Sequence, residues 1–316
     1  MFRSWLYKVA IRCLDLIPIG LVRNFLKLLY HRPKVADRAG YSVFPLVFYS
    51  PFPVPSEVDV SRLKFRRALP GIDFPVPKSL ELLGKLTRYS PEVAEFLEAR
   101  TGDLTHWAET FPLSDSGTLY AMLRHLKPKR YIEVGCGYST RCSTAALARN
   151  QQEGCGCQSA FIEPYPPPYL TETTLPGEFI KKKVQDVPLE RFQKLQAGDV
   201  LFIDTSHVIK VQNDVEWELL YILPLLESGV IVHIHDIFTP YDYPTEWLVV
   251  RGGGNEQYAL ECLLSGGDNW EVILPVHLLW REHPQLLRQV VDSDDRPGSF
   301  WFMKVKQTKP AAGGEP

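Results

Sequence analysis

What this chain lacks narrows the field before any motif is read. There is no basic excess: 35 Lys and Arg stand against 37 Asp and Glu, a formal net charge of −2. A domain that holds nucleic acid needs a basic patch or stripe, so nucleic acid is not expected as a partner. Cysteine is sparse and scattered. Of the six, only Cys155 and Cys157 are close-spaced, and no second pair supplies two more zinc ligands. The pattern reads as free thiols in a reducing compartment. The N-terminus has no clean apolar run before a small-residue cleavage site, so no secretory leader is expected and the location is read as cytoplasmic. No internal repeat is visible. With 316 residues, 45% of them apolar, the core can be large without disulfide support. One α/β-sized domain with an appendage fits that length.

The appendage comes first. Residues 1–30 are apolar with interspersed bases at Arg3, Lys8, Arg12, Arg23 and Lys27, and Pro18 and Gly20 interrupt a partly helical period. Two short helices are expected. Charge breaks the stretch too often for it to span a bilayer. A basic amphipathic segment suits peripheral attachment to a membrane surface; the alternative is packing on the protein body or on a second copy in a homo-oligomer. Residues 31–78 hold eight prolines between Pro33 and Pro77 and read as extended chain wrapped over a surface. Residues 79–127 read as helical. The expected divisions are 1–45, a basic extension; 46–127, a proline-rich and helical cap; 128–305, a ligand-binding catalytic domain; and 306–316, a disordered tail.

From residue 130 strands alternate with helices: strands near 131–134, 160–162, 179–184, 200–203 and 229–234, helices near 140–150 and 207–224. That alternation predicts a doubly wound, mostly parallel sheet. A helix near 255–264 and strands near 270–275 and 299–305 follow. The first strand runs into Tyr131-Ile-Glu-Val-Gly-Cys-Gly-Tyr-Ser-Thr140. Glycines let the backbone turn at positive φ and approach a ligand, and the free N–H groups opening the next helix favour a polar or anionic group. Polar residues then recur at strand ends: Glu133, Glu163, Asp204 and His235-Asp236. Open α/β sheets bind ligands at those ends. Glu163 is placed to accept from ribose hydroxyls. Asp186 stands either toward an adenine amino group or as a helix cap.

Together these residues resemble class I S-adenosylmethionine-dependent methyltransferases, in the branch with Glu-x-Gly-x-Gly-Tyr-Ser-Thr as first motif. Leu201-Phe202-Ile203-Asp204-Thr205-Ser206-His207 resembles the fourth-strand motif. His233-Ile234-His235-Asp236-Ile237-Phe238, with Tyr241-Asp242-Tyr243-Pro244 and Glu246-Trp247, resembles the fifth. Asn255-Glu256-Gln257-Tyr258 and Ser299-Phe300-Trp301-Phe302 are similar to C-terminal pieces of that branch. Tyr49-Ser50-Pro51 and Pro70-Gly71-Ile72-Asp73 are similar to its N-terminal segment. The resemblance covers roughly residues 46–305. It implies a seven-stranded Rossmann-like sheet whose last strand is antiparallel, with S-adenosylmethionine across the strand ends. Glu133, Gly135, Gly137, Ser139 and Thr140 would shape the methionine pocket. Glu163 would hold the ribose and Asp186 the adenine side, while Asp204 and His235-Asp236 would face the methyl group.

The resemblance implies transfer to the hydroxyl of a small-molecule acceptor, a sugar, polyketide or phenol. A hydroxyl acceptor needs a base, and His207, His235 and Asp236 are the candidates. His233 shares a strand face with His235 and reads as a core residue. Phe238, Tyr241, Tyr243 and Trp247 form an aromatic loop suited to a ring; alternatively they pack a lid. Some relatives of this fold hold a divalent metal with acids at the fourth and fifth strand ends plus a neighbouring amide. Asp204 and Asp236 match the acids. The amide position is Ile237, which cannot ligate, leaving His207 or His235 as substitutes and favouring Mn or Fe over Mg. The competing reading has both acids orient substrate and histidines. A nicotinamide enzyme is disfavoured because Thr140 stands where a third glycine belongs. A metal-dependent hydroxylase on the same fold, or a silent accessory protein, are the remaining alternatives.

Overall fold

The computed structural model describes residues 17–45, 47, 53–99, 110–171, 175–250 and 254–306. They divide into two units at Asp59, not at residue 45. In the first unit, helix α1 (Ile19–Tyr30) starts directly after Pro18 and accommodates Gly20 in its first turn. A short helix, Pro33–Arg38, follows. Of residues 31–78, expected to wrap over a surface, positions 46 and 48–52 lie outside the described residues, as does the tail after 306.

The second unit is built on seven strands: β1 (Arg130–Val134), β2 (Gln158–Ile162), β3 (Glu178–Ile180), β4 (Val200–Ile203), β5 (Ile231–Ile234), β6 (Trp270–Pro275) and β7 (Phe300–Lys304). Their order is β3-β2-β1-β4-β5-β7-β6, with β7 antiparallel to both neighbours. The chain leaves β1 in one direction for β2 and β3, then crosses back to β4 and β5. That reversal puts the topological switch point between β1 and β4, where such sheets bind ligands.

Alternation along each strand sorts side chains into two cores. Tyr131, Phe161, Phe202, Ile231 and Trp301 face one side; Ile132, Ile162, Leu201, Ile203, Val232 and Phe302 face the other. Buried on both faces, these strands read as continuous apolar runs. Helices α2 (Val76–Leu86), α3 (Ser90–Glu98), α4 (Leu113–Leu126) and α5 (Tyr138–Gln152) cover the first side. Residues 76–126 therefore share the main core of the sheet instead of forming a separate cap. The α4 backbone approaches closely at Gly117, where a Cβ would lie 2.6 Å from Val291 and 2.9 Å from Val93. The second side is covered by α6, which begins at Asp214, and α7 (Glu256–Ser265).

Two expected elements are shorter than their apolar patterns suggest. β3 stops at Ile180, because it is the sheet edge and Lys181, Lys182 and Lys183 run exposed from it. The helix expected from 207 starts only at Asp214. Asn213 caps it, accepting from the Glu216 and Lys210 amides at 3.1 and 3.2 Å, so residues 207–213 are free to form a loop over the sheet end. The helix then passes through a π-helical stretch, Glu218–Ile222, just before Pro224.

Candidate active site

The turn after β1 is fixed by its first glycine. Gly135 has φ +82°, and a Cβ there would sit 1.7 Å from the carbonyl oxygen of Asp204. Only glycine lets β1 and β4 close at this point, where the Asp204 amide donates to Val134 O at 2.9 Å. Gly137 is different: its Cβ would meet nothing nearer than Tyr169 Oη at 3.8 Å. Behind the turn, Glu133 is fully buried and accepts from four hydroxyls: Ser139 (2.9 Å), Thr140 (2.6 Å), Ser143 (2.7 Å) and Tyr131 (2.7 Å). Burial pushes its carboxyl up, and these donors oppose the push. Thr140 also accepts from the Gly137 amide at 3.1 Å. Glu133, Ser139 and Thr140 therefore brace the turn from beneath, and none lines the ligand cavity. That bracing explains why a hydroxyl, not a third glycine, occupies position 140.

A cavity of about 560 Å³ opens at the switch point, lined by Gly135, Glu163, Gln185 and the stretch Asp204 to Ser206, among others. Glu163 accepts from the Cys136 amide (3.2 Å) and the Tyr165 amide (2.6 Å), which ties the ends of β1 and β2 together. Asp186 is exposed and lies off the cavity; Gln185 lines it instead. The tight turn at Val184–Asp186 changes which residue faces the sheet end, and the cap expected of Asp186 falls at Leu189.

Asp204 belongs to this cavity and also to a second feature. At the ends of β4 and β5 four side chains converge. His207 Nε2 lies 3.4 Å from Asp204 Oδ1 and 3.4 Å from Asp236 Oδ2. His235 Nδ1 lies 3.4 and 3.6 Å from the same two oxygens. These separations exceed the 2.7–3.2 Å of an ordinary N–H···O bond, and His235 Nδ1 is buried without a hydrogen-bond partner. Each histidine is instead held by its other nitrogen. His207 Nδ1 is 3.1 Å from Glu256, and His235 Nε2 is 3.1 Å from Asp115. Asp115 is fully buried on α4 and also accepts from the Gly298 and Ser299 amides, each at 2.9 Å.

Backbone strain concentrates here. His207 and Asp236 have φ of +59° and +57°, two of four such non-glycine residues among those described. The His207 carbonyl accepts from the Asn255 and Glu256 amides, so the start of α7 holds the turn. At Gly298 a Cβ would fall 2.9 Å from the Asp236 Cα.

Charge is out of balance in the cluster: four carboxylates surround two imidazoles. Burial works against both histidine charges, yet the carboxylates (Asp204 and Glu256 at His207, Asp236 and Asp204 at His235) raise both rings well above the ordinary value. Burial pushes Asp204 up too, but the adjacent imidazoles hold it low. Burial leaves the Asp236 and Glu256 carboxyls raised. The site is short of positive charge.

His233 is the core residue its position suggested. It lies in register with Phe202 and Trp301 and stacks between them, centroids 4.4 and 4.1 Å away. Of the aromatic loop, Phe238, Tyr241 and Tyr243 are buried and pack on each other, on His277 and on Tyr258, and Tyr241 and Tyr243 also edge a small cavity of about 180 Å³. Trp247 is half-buried, edge-on to His207 at 5.9 Å. Sequence reasoning missed Asp115 and Gln185, and quoted Glu256 without giving it a role.

A doubly wound sheet in this order, with a glycine turn after β1 and acids at the strand ends, defines the class I methyltransferase fold. Residues 132–237 match the Methyltransf_24 family, described as a methyltransferase domain. Over that stretch, which runs from β1 to just past the end of β5, the chain is similar to a methyltransferase domain. An uncharacterized protein of Archaeoglobus fulgidus is 28% identical over 190 residues, 56% of this chain and 84% of that one. Among solved structures, the plantazolicin methyltransferase BpumL with SAH is 14% identical, over 73% of this chain and 96% of that chain, at a TM-score of 0.41. The O-methyltransferase TomG from Streptomyces achromogenes, with SAM, is 16% identical over 60% and 78%, at a TM-score of 0.37. Values this low say nothing about the acceptor.

Proposed function

We propose that the protein transfers the methyl group of S-adenosylmethionine to a hydroxyl of a small molecule, at a divalent cation held by Asp204, His207 and Asp236, with His235 facing the same two carboxylates. The observation that carries this is the double membership of Asp204. Asp204 is one of the residues lining the cavity at the switch point, and its carboxylate lies 3.4 Å from both histidines, so a ligand in that cavity adjoins the cluster.

The residues fit both groups. Glu163 would take the ribose hydroxyls and Gln185 the adenine side, both lining the cavity, and the methionine part would lie in the open space before Gly137. Asp204, His207 and Asp236 offer three ligand atoms close enough to share one cation, with His207 Nε2 3.4 Å from each carboxylate, and the buried Nδ1 of His235, without a hydrogen-bond partner, faces the same two oxygens. An imidazole with two carboxylates suits Mn, Fe or Zn over Mg. When bound, the cofactor supplies an activated methyl group and the cation supplies Lewis acidity toward a hydroxyl oxygen. The chain's own work is alignment. Glu256 and Asp115 take the outer ring nitrogens of His207 and His235 and so turn the inner ones toward the cluster. Trp247 offers an apolar wall beside His207 for the acceptor.

A second reading has support from one observation. His207 remains 16% exposed where His235 is 1%, so without a cation His207 Nε2 is the nitrogen nearest the acceptor's proton, with Nδ1–H held by Glu256; because the carboxylates raise its ring, it would act as base only at alkaline pH.

Calorimetric titration with S-adenosylhomocysteine, then with Mn²⁺ and Mg²⁺, tests the assignment. Micromolar binding of the first and preference for Mn²⁺ over Mg²⁺ are expected. An acceptor screen with and without EDTA decides between the readings: activity unchanged by chelation removes the cation and leaves His207 as base.

A further inference from the structure

The first unit carries charge that the rest of the chain does not. Residues 1–38 hold eight Lys or Arg against Asp15 and Asp37, a net of plus six, in a chain whose total is −2; residues 39–316 therefore carry minus eight. Helix α1 lies within that basic stretch, and none of its residues is buried. At 100° per residue, Ile19, Leu21, Val22, Phe25, Leu26, Leu28, Leu29 and Tyr30 fall on one broad arc, and Arg23, Asn24 and Lys27 on the other. The apolar arc faces outward: Ile19 is 82% exposed, Phe25 and Leu28 each 60%. An arc this wide is far more than the scattered apolar residues normal for a surface.

A groove of about 550 Å³ runs beside it, walled by Val22, Leu26, Tyr30, Val43 and Phe44, with Arg23 and Lys27 also in its lining. An apolar trough with two cations suits an acyl chain beneath an anionic headgroup. No described helix is long and apolar enough to cross a membrane. A helix with a full apolar face, a basic polar face and no acid lies in the plane of an anionic bilayer instead.

We propose that the N-terminal unit binds anionic membrane surfaces, with the apolar arc of α1 in the acyl boundary and Arg23 and Lys27 at the headgroups. The enzyme would then meet its acceptor at the bilayer. This rests on the N-terminal unit alone and stands whether or not the cation is used.

The experiment is co-sedimentation of the full chain with phosphatidylcholine vesicles, with and without phosphatidylglycerol, at low and high salt. The wild-type protein is expected to pellet with the anionic vesicles and to be released by salt. Leu21→Asp with Leu28→Asp, and separately Arg23→Glu with Lys27→Glu, should each weaken binding about tenfold or more. S-adenosylhomocysteine binding should be unchanged in both, showing that the catalytic unit is intact. Wild-type protein left in the supernatant with anionic vesicles overturns the proposal. So does a Leu21/Leu28 variant that pellets like wild type. A variant that changes only its oligomeric state, by sedimentation velocity, also overturns it and assigns the face to a second copy of the chain.

Discussion

The two glycines of the turn after β1 should respond to the same substitution in opposite ways. In Gly135→Ala the new methyl would sit 1.7 Å from the Asp204 carbonyl oxygen and 2.6 Å from its carbon, on a residue at φ +82°. The left-handed backbone alone costs about 1–2 kcal/mol with a side chain. Relief of the overlap requires β1 and β4 to part, which breaks the Asp204 amide bond to Val134. A total above about 4 kcal/mol is expected, a large fraction of the stability of any domain. Gly137→Ala meets only Tyr169 Oη, at 3.8 Å. Its cost is that of Ala for Gly at a helix N-cap, about 0.5–1 kcal/mol, or about 2–4 °C in Tm. Its methyl would occupy the space proposed for the methionine part, so S-adenosylhomocysteine affinity should fall about 10–100-fold, equivalent to about 1.4–2.8 kcal/mol. Thermal melts and calorimetry read both effects. A Gly137→Ala protein that binds the ligand like wild type, or a Gly135→Ala protein that melts like wild type, refutes this account of the turn.

Other consequences are testable with the same protein. Asp115→Asn and Glu256→Gln should each lower Mn²⁺ affinity about 10–100-fold while leaving S-adenosylhomocysteine affinity unchanged, because each removes the carboxylate that turns a histidine toward the cluster; calorimetry showing no change in Mn²⁺ affinity removes them from that role. Arg124 is buried on α4 and bonds Glu92, Glu153 and Asn150. Arg124→Ala should cost about 2–3 kcal/mol in urea unfolding, less than a fully buried pair, because both glutamates reach water; a loss below about 0.5 kcal/mol would show the network contributes nothing. Burial pushes His277 down to about 4, opposed by its bond to Pro297 O. Between that value and about 6.5 the unfolded chain binds the proton and the native one does not, so stability is full above the upper value and falls with pH below it. The term amounts to about 2 kcal/mol between pH 7 and pH 5; urea titrations of wild type and His277→Gln at both pH values should differ by that amount, and equal pH dependence would remove His277 as its source.

The sheet was legible because strands buried on both faces advertise themselves. Leu201-Phe202-Ile203 and Ile231-Val232 are apolar runs closed by acids, and their ends in sequence are their ends in space. Glu163, Asp204, His235 and Asp236 could be located at the sheet end for the same reason: a polar residue right after such a run has the sheet end as its address. Asp186 was misplaced because the edge strand before it is weakly apolar and ends early, so its terminus carried no sharp mark. The aromatics at 238, 241 and 243 left two readings open, ligand-facing or packed, since a ring in a loop looks the same whether it packs inward or outward. Asp115 shows the limit most clearly. Nothing in Leu113-Ser114-Asp115-Ser116-Gly117 points to chemistry; an acid in the first turn of a helix is ordinary. Its place beside a histidine 120 residues away comes from the packing of α4, whose backbone closes on Val93 and Val291 at Gly117. The residues proposed to contact the ligand stand at strand ends, where local sequence reports location. Residues that orient those contacts are set by packing between distant elements, which no local pattern records.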